Sequence, residues 1–399
     1  MNTTQAGSGV WFRLATVAAA TAMALTACGS TTPSGSTTKP PPTAGMKPPT
    51  AIGPGEGALN LIAWGGYVDP LWKAPFEAQT GCKITEKDAL SSDEMVTLMA
   101  GGGGGQWDMV SASGDADLRL IYGGDVKPMN TALIPDWVNF RDQFKSPAFN
   151  TINGVHYGIS LQWGPNTLLY STKKFPSPPT SWSTIYDPAL SGLITIPDNA
   201  IQIADAALYL SKKQPSLNIK DPYELTKTQF DATVALLRQQ RPLIKKYWGS
   251  VSDEENLFKS GDAVAGAAWP IMTSDLKKAG AATADTIPSE GATGWVDTWM
   301  LATKAQHPNC AYMWTKWVST PKVQAQQALT YGETPVNTQA CAQMESLQAG
   351  SCSQFHADAL DSYFTGIKFW KTPIAECGDG STNCIPYATW LSAWTSIKG

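Results

Sequence analysis

Short apolar runs alternate with helix-length segments along most of this chain, and the rhythm occurs twice. That alternation constrains the fold more than any other feature, because strand, helix and strand in succession build a mainly parallel sheet with helices on its faces. In the first round, Leu59-Asn60-Leu61-Ile62-Ala63-Trp64 reads as a buried strand, and a helix begins at Pro70 and carries Leu71, Trp72 and Phe76. Thr80-Gly81 ends that helix, and Cys82-Lys83-Ile84-Thr85 opens the next strand. Ser91-Ser92-Asp93-Glu94 has capping-box spacing, Trp107-Asp108-Met109-Val110 reads as a third strand, and a helix runs from Asp117 to Tyr122. In the second round, Leu193 to Ile196 is a strand, and Ile203 to Leu210 and Phe230 to Leu237 are helices. A second capping box is read at Ser252-Asp253-Glu254-Glu255. Strands follow at Ala263 to Ala267 and Thr298 to Ala302, then a helix from Cys310 to Val318. Two such units place a cleft between them, and ligands bind beyond the carboxyl ends of the strands. The positions to watch are Trp64 to Tyr67, Ser111 to Asp115, Asp198 to Gln202, and Trp269.

The chain has 399 residues, 43% of them hydrophobic, which is enough to build two domain cores. Its first residues carry processing information. Arg13 closes a short leading region, an apolar stretch runs from Leu14 to Leu25, and Leu25-Thr26-Ala27-Cys28 looks like a lipobox. The apolar stretch is too short to span a bilayer. Residues 1–27 are therefore expected to be a lipoprotein signal peptide with Cys28 as the lipidated residue. Residues 28–56 are rich in Ser, Thr, Pro and Gly and read as a tether lifting a domain off a membrane. The expected location is extracytoplasmic.

Six cysteines follow Cys28, and an even number in an exported chain points to disulfides. Six cysteines allow fifteen pairings. Cys341–Cys352 and Cys377–Cys384 would close short loops, which leaves Cys82–Cys310. A zinc site is disfavoured because no CxxC spacing occurs and only His156, His307 and His356 are present.

The net charge of −4 gives nucleic acid no basic surface to bind. The five glycines Gly101 to Gly105 lack the Gly-Lys-Ser/Thr of a phosphate loop and read as a turn. There is no Gly-x-Ser-x-Gly and no HExxH, so nothing asks for an enzyme, a metal or a cofactor. What remains is a set of aromatics and carboxylates at strand ends. Indole and phenol faces attract cations, and a desolvated ammonium also needs carboxylate partners. An aliphatic amine fits this composition. An anion would call for arginines, and Arg119, Arg141, Arg238 and Arg241 lie away from the expected strand ends.

Several of these residues occur in an order that resembles the spermidine/putrescine-binding proteins of ABC importers. They are Trp64-Gly65-Gly66-Tyr67, Trp107 to Val110 with Ser113, Gln162-Trp163-Gly164, Trp295-Val296-Asp297, Gly332-Glu333-Thr334-Pro335-Val336-Asn337, and the ending Tyr387 to Trp394. Ser113 to Asp117 and Gln162 to Asn166 bring the likeness nearest to one polyamine-binding branch. The resemblance implies a two-lobed α/β periplasmic-binding-protein fold of type II with hinge strands. One lobe would comprise 57–164 plus 296–340 and the other 165–295 plus 341–399. Trp64, Tyr67, Trp269 and Trp295 would be cage walls, Trp163 a hinge contact, Ser113 a polar contact and Asp297 an amine-binding carboxylate. The chain departs from the family's acids and tyrosines by placing Asp198, Asn199 and Gln202 in the second lobe and Asp115 and Glu333 in the first. The resemblance further implies a monomer without catalytic activity that delivers a small amine to permease subunits. An amino acid-like monoamine and a sugar are the alternative ligands, and a carboxylate-dependent hydrolase is the alternative activity.

Overall fold

A computed structural model describes residues 40–359 and 361–399. The expected signal peptide, Cys28 and the first part of the tether lie outside the described residues. The α/β fold is built on two sheets. The larger runs in the order Thr334–Pro335, Gly158–Pro165, Ala292–Ala302, Met109–Ser113, Ala58–Trp64, Lys83–Ala89, and the short strands Ile367–Phe369 and Val126–Lys127 also pair with Ala292–Ala302. The smaller runs Ile244–Trp248, Ile194–Pro197, Ala265–Ala268, Thr167–Ser171, Thr283–Thr286. The strands of the first βαβ rounds are parallel, as their spacing predicts. The sheets are nevertheless mixed, because Ala292–Ala302 lies antiparallel to both Met109–Ser113 and Gly158–Pro165. This strand is longer than the Thr298 to Ala302 run predicts and is buried throughout, so no polar alternation marks its start.

Local signals explain the element ends. Asp69 caps Pro70–Thr80 by accepting from the Leu71 amide at 2.7 Å, and Gly81 ends it in the left-handed region at φ 74°. Ser91 caps Ser92–Met99 through the Glu94 amide at 3.1 Å. The second expected box is displaced. The helix Val251–Ser260 is capped by Ser250, while Glu254 is buried and accepts from the Thr195 hydroxyl at 2.9 Å. A full capping box, Thr226 with Gln229, opens Lys227–Gln240.

Two stretches differ from their expected places. The described part of the tether, 40–56, packs on the larger half. Thr43 donates to the Val126 carbonyl at 2.8 Å, and Asn130 donates to the Pro49 carbonyl at 3.0 Å. The Glu56 carboxylate accepts from the amides of Asn309 and Cys310, both at 2.9 Å, at the start of the helix Pro308–Val318. A proline-rich segment cannot build a core but can satisfy its polar groups on one. The segment 341–399 divides. Met344, Cys352 and Phe355 pack with Ala325 and Ala328, and Ile367–Phe369 joins the larger sheet. The closing helix Tyr387–Lys398 packs in the smaller half through Trp390, Trp394 and Ile397. The described cysteines pair as Cys82–Cys310, Cys341–Cys352 and Cys377–Cys384.

The chain crosses between the sheets near Asn166, before Ala292, and after Phe369. Asp205, on the helix Gln202–Lys213, ties these crossings together. It accepts from Asn166 Nδ2 at 3.0 Å and from the Thr293 hydroxyl, and the Trp370 indole donates to Thr293 at 3.3 Å.

Candidate functional site

The strand Ala58–Trp64 ends in a turn that carries Tyr67 back toward the sheet, with the Tyr67 amide donating to the Trp64 carbonyl at 3.0 Å. Gly66 sits at φ 91° in that turn, and a Cβ there would meet the Tyr331 hydroxyl at 2.0 Å, so only glycine fits. The turn delivers the Tyr67 phenol to two carboxylates. Its hydroxyl donates to Asp297 Oδ2, and the same oxygen lies 3.1 and 3.3 Å from the two carboxylate oxygens of Glu333. Asp297 stands opposite Ser113 in the sheet register, and the Ser113 hydroxyl donates to its other oxygen. The half-buried Trp64 indole also favours the ionised form of Asp297. Tyr67, Ser113, Asp297 and Glu333 are all buried.

Asp115 opens the helix Gly114–Gly123, which follows the strand bearing Ser113. Its fully buried carboxylate accepts from the Ser92 hydroxyl at 2.8 Å and, from the smaller half, from Asn199 Nδ2 at 3.5 Å. This contact brings Asn199 into the cluster. Arg119, one turn on, pairs its guanidinium with Asp93 and lies 4.0 Å over the Tyr387 ring. Asp117, on the same helix, is also fully buried.

Burial dominates the electrostatics. It pushes Asp297 up to about 7 and Asp115 up to about 6, against hydrogen bonds that act the other way. Burial and the neighbouring Asp297 carboxylate raise Glu333 well above the usual range, and burial does the same to Asp117. No basic side chain among the described residues bears on Glu333. The site is an acidic cluster, walled by Trp64 and Tyr67, in which buried carboxylates outnumber the basic side chains that bear on them.

Other expected site residues make different contacts. Trp163 is fully buried in the core, 4.9 Å from Phe364 and 5.7 Å from Phe369 by ring centroids, and cannot line a cleft. Asp198 is held by the closing helix, accepting from the Trp394 indole at 2.9 Å and pairing with Lys398. Trp269 is half-buried at the start of the helix Pro270–Lys278, 4.8 Å edge-on from Trp248. Trp295 packs against the backbone of Gly164, where a Cβ would meet its ring at 2.5 Å. Gln202 is buried, and its Nε2 has no hydrogen-bond partner among the described residues. Reasoning from sequence did not find Ser92 and Asp117. Ser92 looked like part of a cap and Asp117 like a helix-start acid, and only the packing of their helices shows both side chains buried. It also did not find a crevice of about 380 Å³ lined by Thr167, Lys277, Asp285, His356 and Tyr363. His356 there stacks 4.4 Å from Tyr363 with its backbone at φ 55°.

Residues 72–351 match the family described as bacterial extracellular solute-binding protein. The chain is 25% identical over 286 residues to the putrescine-binding periplasmic protein PotF of Escherichia coli strain K12, covering 67% of this chain and 74% of that one. Its fold matches the spermidine/putrescine ABC transporter substrate-binding protein PotD of Streptococcus pneumoniae strain Canada MDR_19A with a TM-score of 0.67. That match has 17% identity and covers 86% of this chain and 100% of that one. It also matches the binding protein MotA of A. tumefaciens B6, solved with glucopine, with a TM-score of 0.65 at 15% identity over 86% and 100% of the two chains. At these identities the structures show a shared fold, and the cleft residues must argue the ligand.

Proposed function

The chain belongs to the bacterial extracellular solute-binding proteins, and from that premise we propose that it captures a small diamine or polyamine in the Asp297 cleft and delivers it to an ABC importer. The observation that carries this reading is the imbalance of charge around Tyr67. Two buried carboxylates meet at one phenol, a third stands at Asp115, and no basic side chain among the described residues bears on Glu333. An unpaired buried carboxylate costs several kcal/mol, and an ammonium bonded to it removes most of that cost. The half-buried Trp64 indole adds a face suited to a cation.

Asn199 reaches Asp115 from the smaller half, so a guest seated here touches both halves and favours their closure. A zwitterion of the γ-aminobutyrate type would bring its own carboxylate into a site already too acidic. A sugar would leave the carboxylates without a cation. The protein acts by binding without chemistry. Its anchoring through Cys28, its monomeric state and its docking on permease subunits complete the proposal and rest on the sequence and the family.

Isothermal titration with putrescine, spermidine and γ-aminobutyrate tests it. A diamine or polyamine should bind at micromolar strength or better, γ-aminobutyrate should bind at least tenfold more weakly, and Asp297→Asn should weaken the amine by about 2–5 kcal/mol. Silence across the amines, alongside a response to sugars, contradicts it. Turnover that Asp297→Asn abolishes would favour a hydrolase.

A further inference from the structure

The hydrogens around Tyr67 can be counted. The phenol has one, and it goes to Asp297 Oδ2. Ser113 has one, and it goes to Asp297 Oδ1. Asp297 thus has a donor on each oxygen. Glu333, with oxygens 3.1 and 3.3 Å from the same phenol oxygen, has none left to accept. Two acceptors cannot face each other at that distance in a buried site without a hydrogen between them.

We propose that the empty cleft holds one further proton on the Glu333–Asp297 pair, with Glu333 donating to the Tyr67 oxygen, and that an entering ammonium expels it to solvent. This rests on the amine reading above and adds the regulation of that site by pH. The step balances. A neutral Glu333 carboxyl and a cationic amine become a carboxylate–ammonium pair, and one proton leaves for the buffer.

Among the described residues, the surrounding groups leave no other source of positive charge at this end. Asp297 and Tyr67 are the groups that act on Glu333: the Asp297 carboxylate disfavours its ionised form, while the Tyr67 hydroxyl acts the other way with the one hydrogen it shares with Asp297. Tyr331, two residues before it, lies 5.6 Å from the Tyr67 ring in a tilted pair and is itself raised by burial and by Glu333. On the Asp297 side stand Ser113, Trp64 and the buried carboxylates of Asp115 and Asp117. Arg119 bears on Asp115, but its guanidinium is paired with Asp93 and packed over Tyr387. The raised positions of Asp297 and Glu333 agree with the proton count. Capture is then coupled to pH. Apparent affinity for an amine rises with pH while the pair still carries the proton, by at most about tenfold per pH unit, and levels off above it.

The experiment is calorimetric titration of putrescine into the full-length mature protein at about pH 6.5, in phosphate and in Tris, whose ionisation heats differ widely. The difference in apparent enthalpy between the buffers reads the protons released. The expected result is close to one proton per putrescine. In Glu333→Gln, whose amide supplies the missing hydrogen permanently, binding should persist more weakly and release should fall by more than half. Binding with the same heat in both buffers overturns the proposal, and so does undiminished release in Glu333→Gln. The buffer comparison on the unmutated protein decides the matter even where the variant does not fold. Absence of heat from putrescine and every other amine overturns the amine reading beneath it, an outcome distinct from binding without proton release.

Discussion

At the residue scale, the Tyr67 cluster stores its chemistry as buried acids that cannot all ionise. Asp115 and Asp297 hold protons up to about 6 and about 7 in the folded protein, chiefly through burial, against an ordinary 3.8. Between those limits the folded state binds more protons than the unfolded one, so this contribution to stability is complete below about pH 4 and is lost as pH rises to about 7. The empty protein should therefore melt higher at about pH 5 than at about pH 8, and a saturating diamine should narrow or reverse that gap. Thermal unfolding at the two pH values checks it, and an empty protein that melts clearly higher at the alkaline value contradicts it. Asp115 was legible because it follows a strand, and Asp297 and Glu333 because Trp295-Val296-Asp297 and Gly332 to Asn337 resemble the motifs of a known family. Trp163 and Asp198 were not. Trp163 lies in the same motif as Gly164, but the pleat turns its ring into the core among Phe144, Phe364 and Phe369. Asp198 does follow a strand, yet Trp394 and Lys398, distant in sequence, claim its carboxylate.

At the element scale, periodicity and end signals placed most strands and helices, and the misses share a cause. The strand Ala292–Ala302 is buried on both faces, and its antiparallel place between two neighbours comes from tertiary packing. Ser250, not Ser252, caps its helix by accepting from the Asp253 amide, and Glu254 turns inward to Thr195. Cysteine spacing suggested pairs that the fold joins. The bridge Cys82–Cys310 spans 228 residues and lies beside Lys83, which pairs with Ala58 at the start of the strand whose other end leads to Tyr67. It closes the end of the sheet away from Tyr67. Replacing both cysteines with serine should lower stability by up to about 5 kcal/mol and leave diamine affinity within about twofold. Denaturant unfolding and titration of the same variant check both halves of that statement. A large loss of affinity in a still-folded variant would place the bridge in the binding machinery.

At the scale of the whole molecule, two sheets meet along three crossings that Asp205, Asn166, Thr293 and Trp370 hold together. The bilobal plan was legible because the βα rhythm repeats. The allegiance of 341–369 and the packing of 40–56 were not, since neither segment carries a periodic pattern of its own and both are placed by the surface they cover. The central claim is that the acids around Tyr67 seat an ammonium between the halves. A crystal structure with bound putrescine tests it most directly. The expected result is an amine nitrogen within about 3 Å of a carboxylate oxygen of Asp297 or Glu333. A diamine seated instead in the Asp285 and His356 crevice, with the Tyr67 cluster undisturbed, would contradict it.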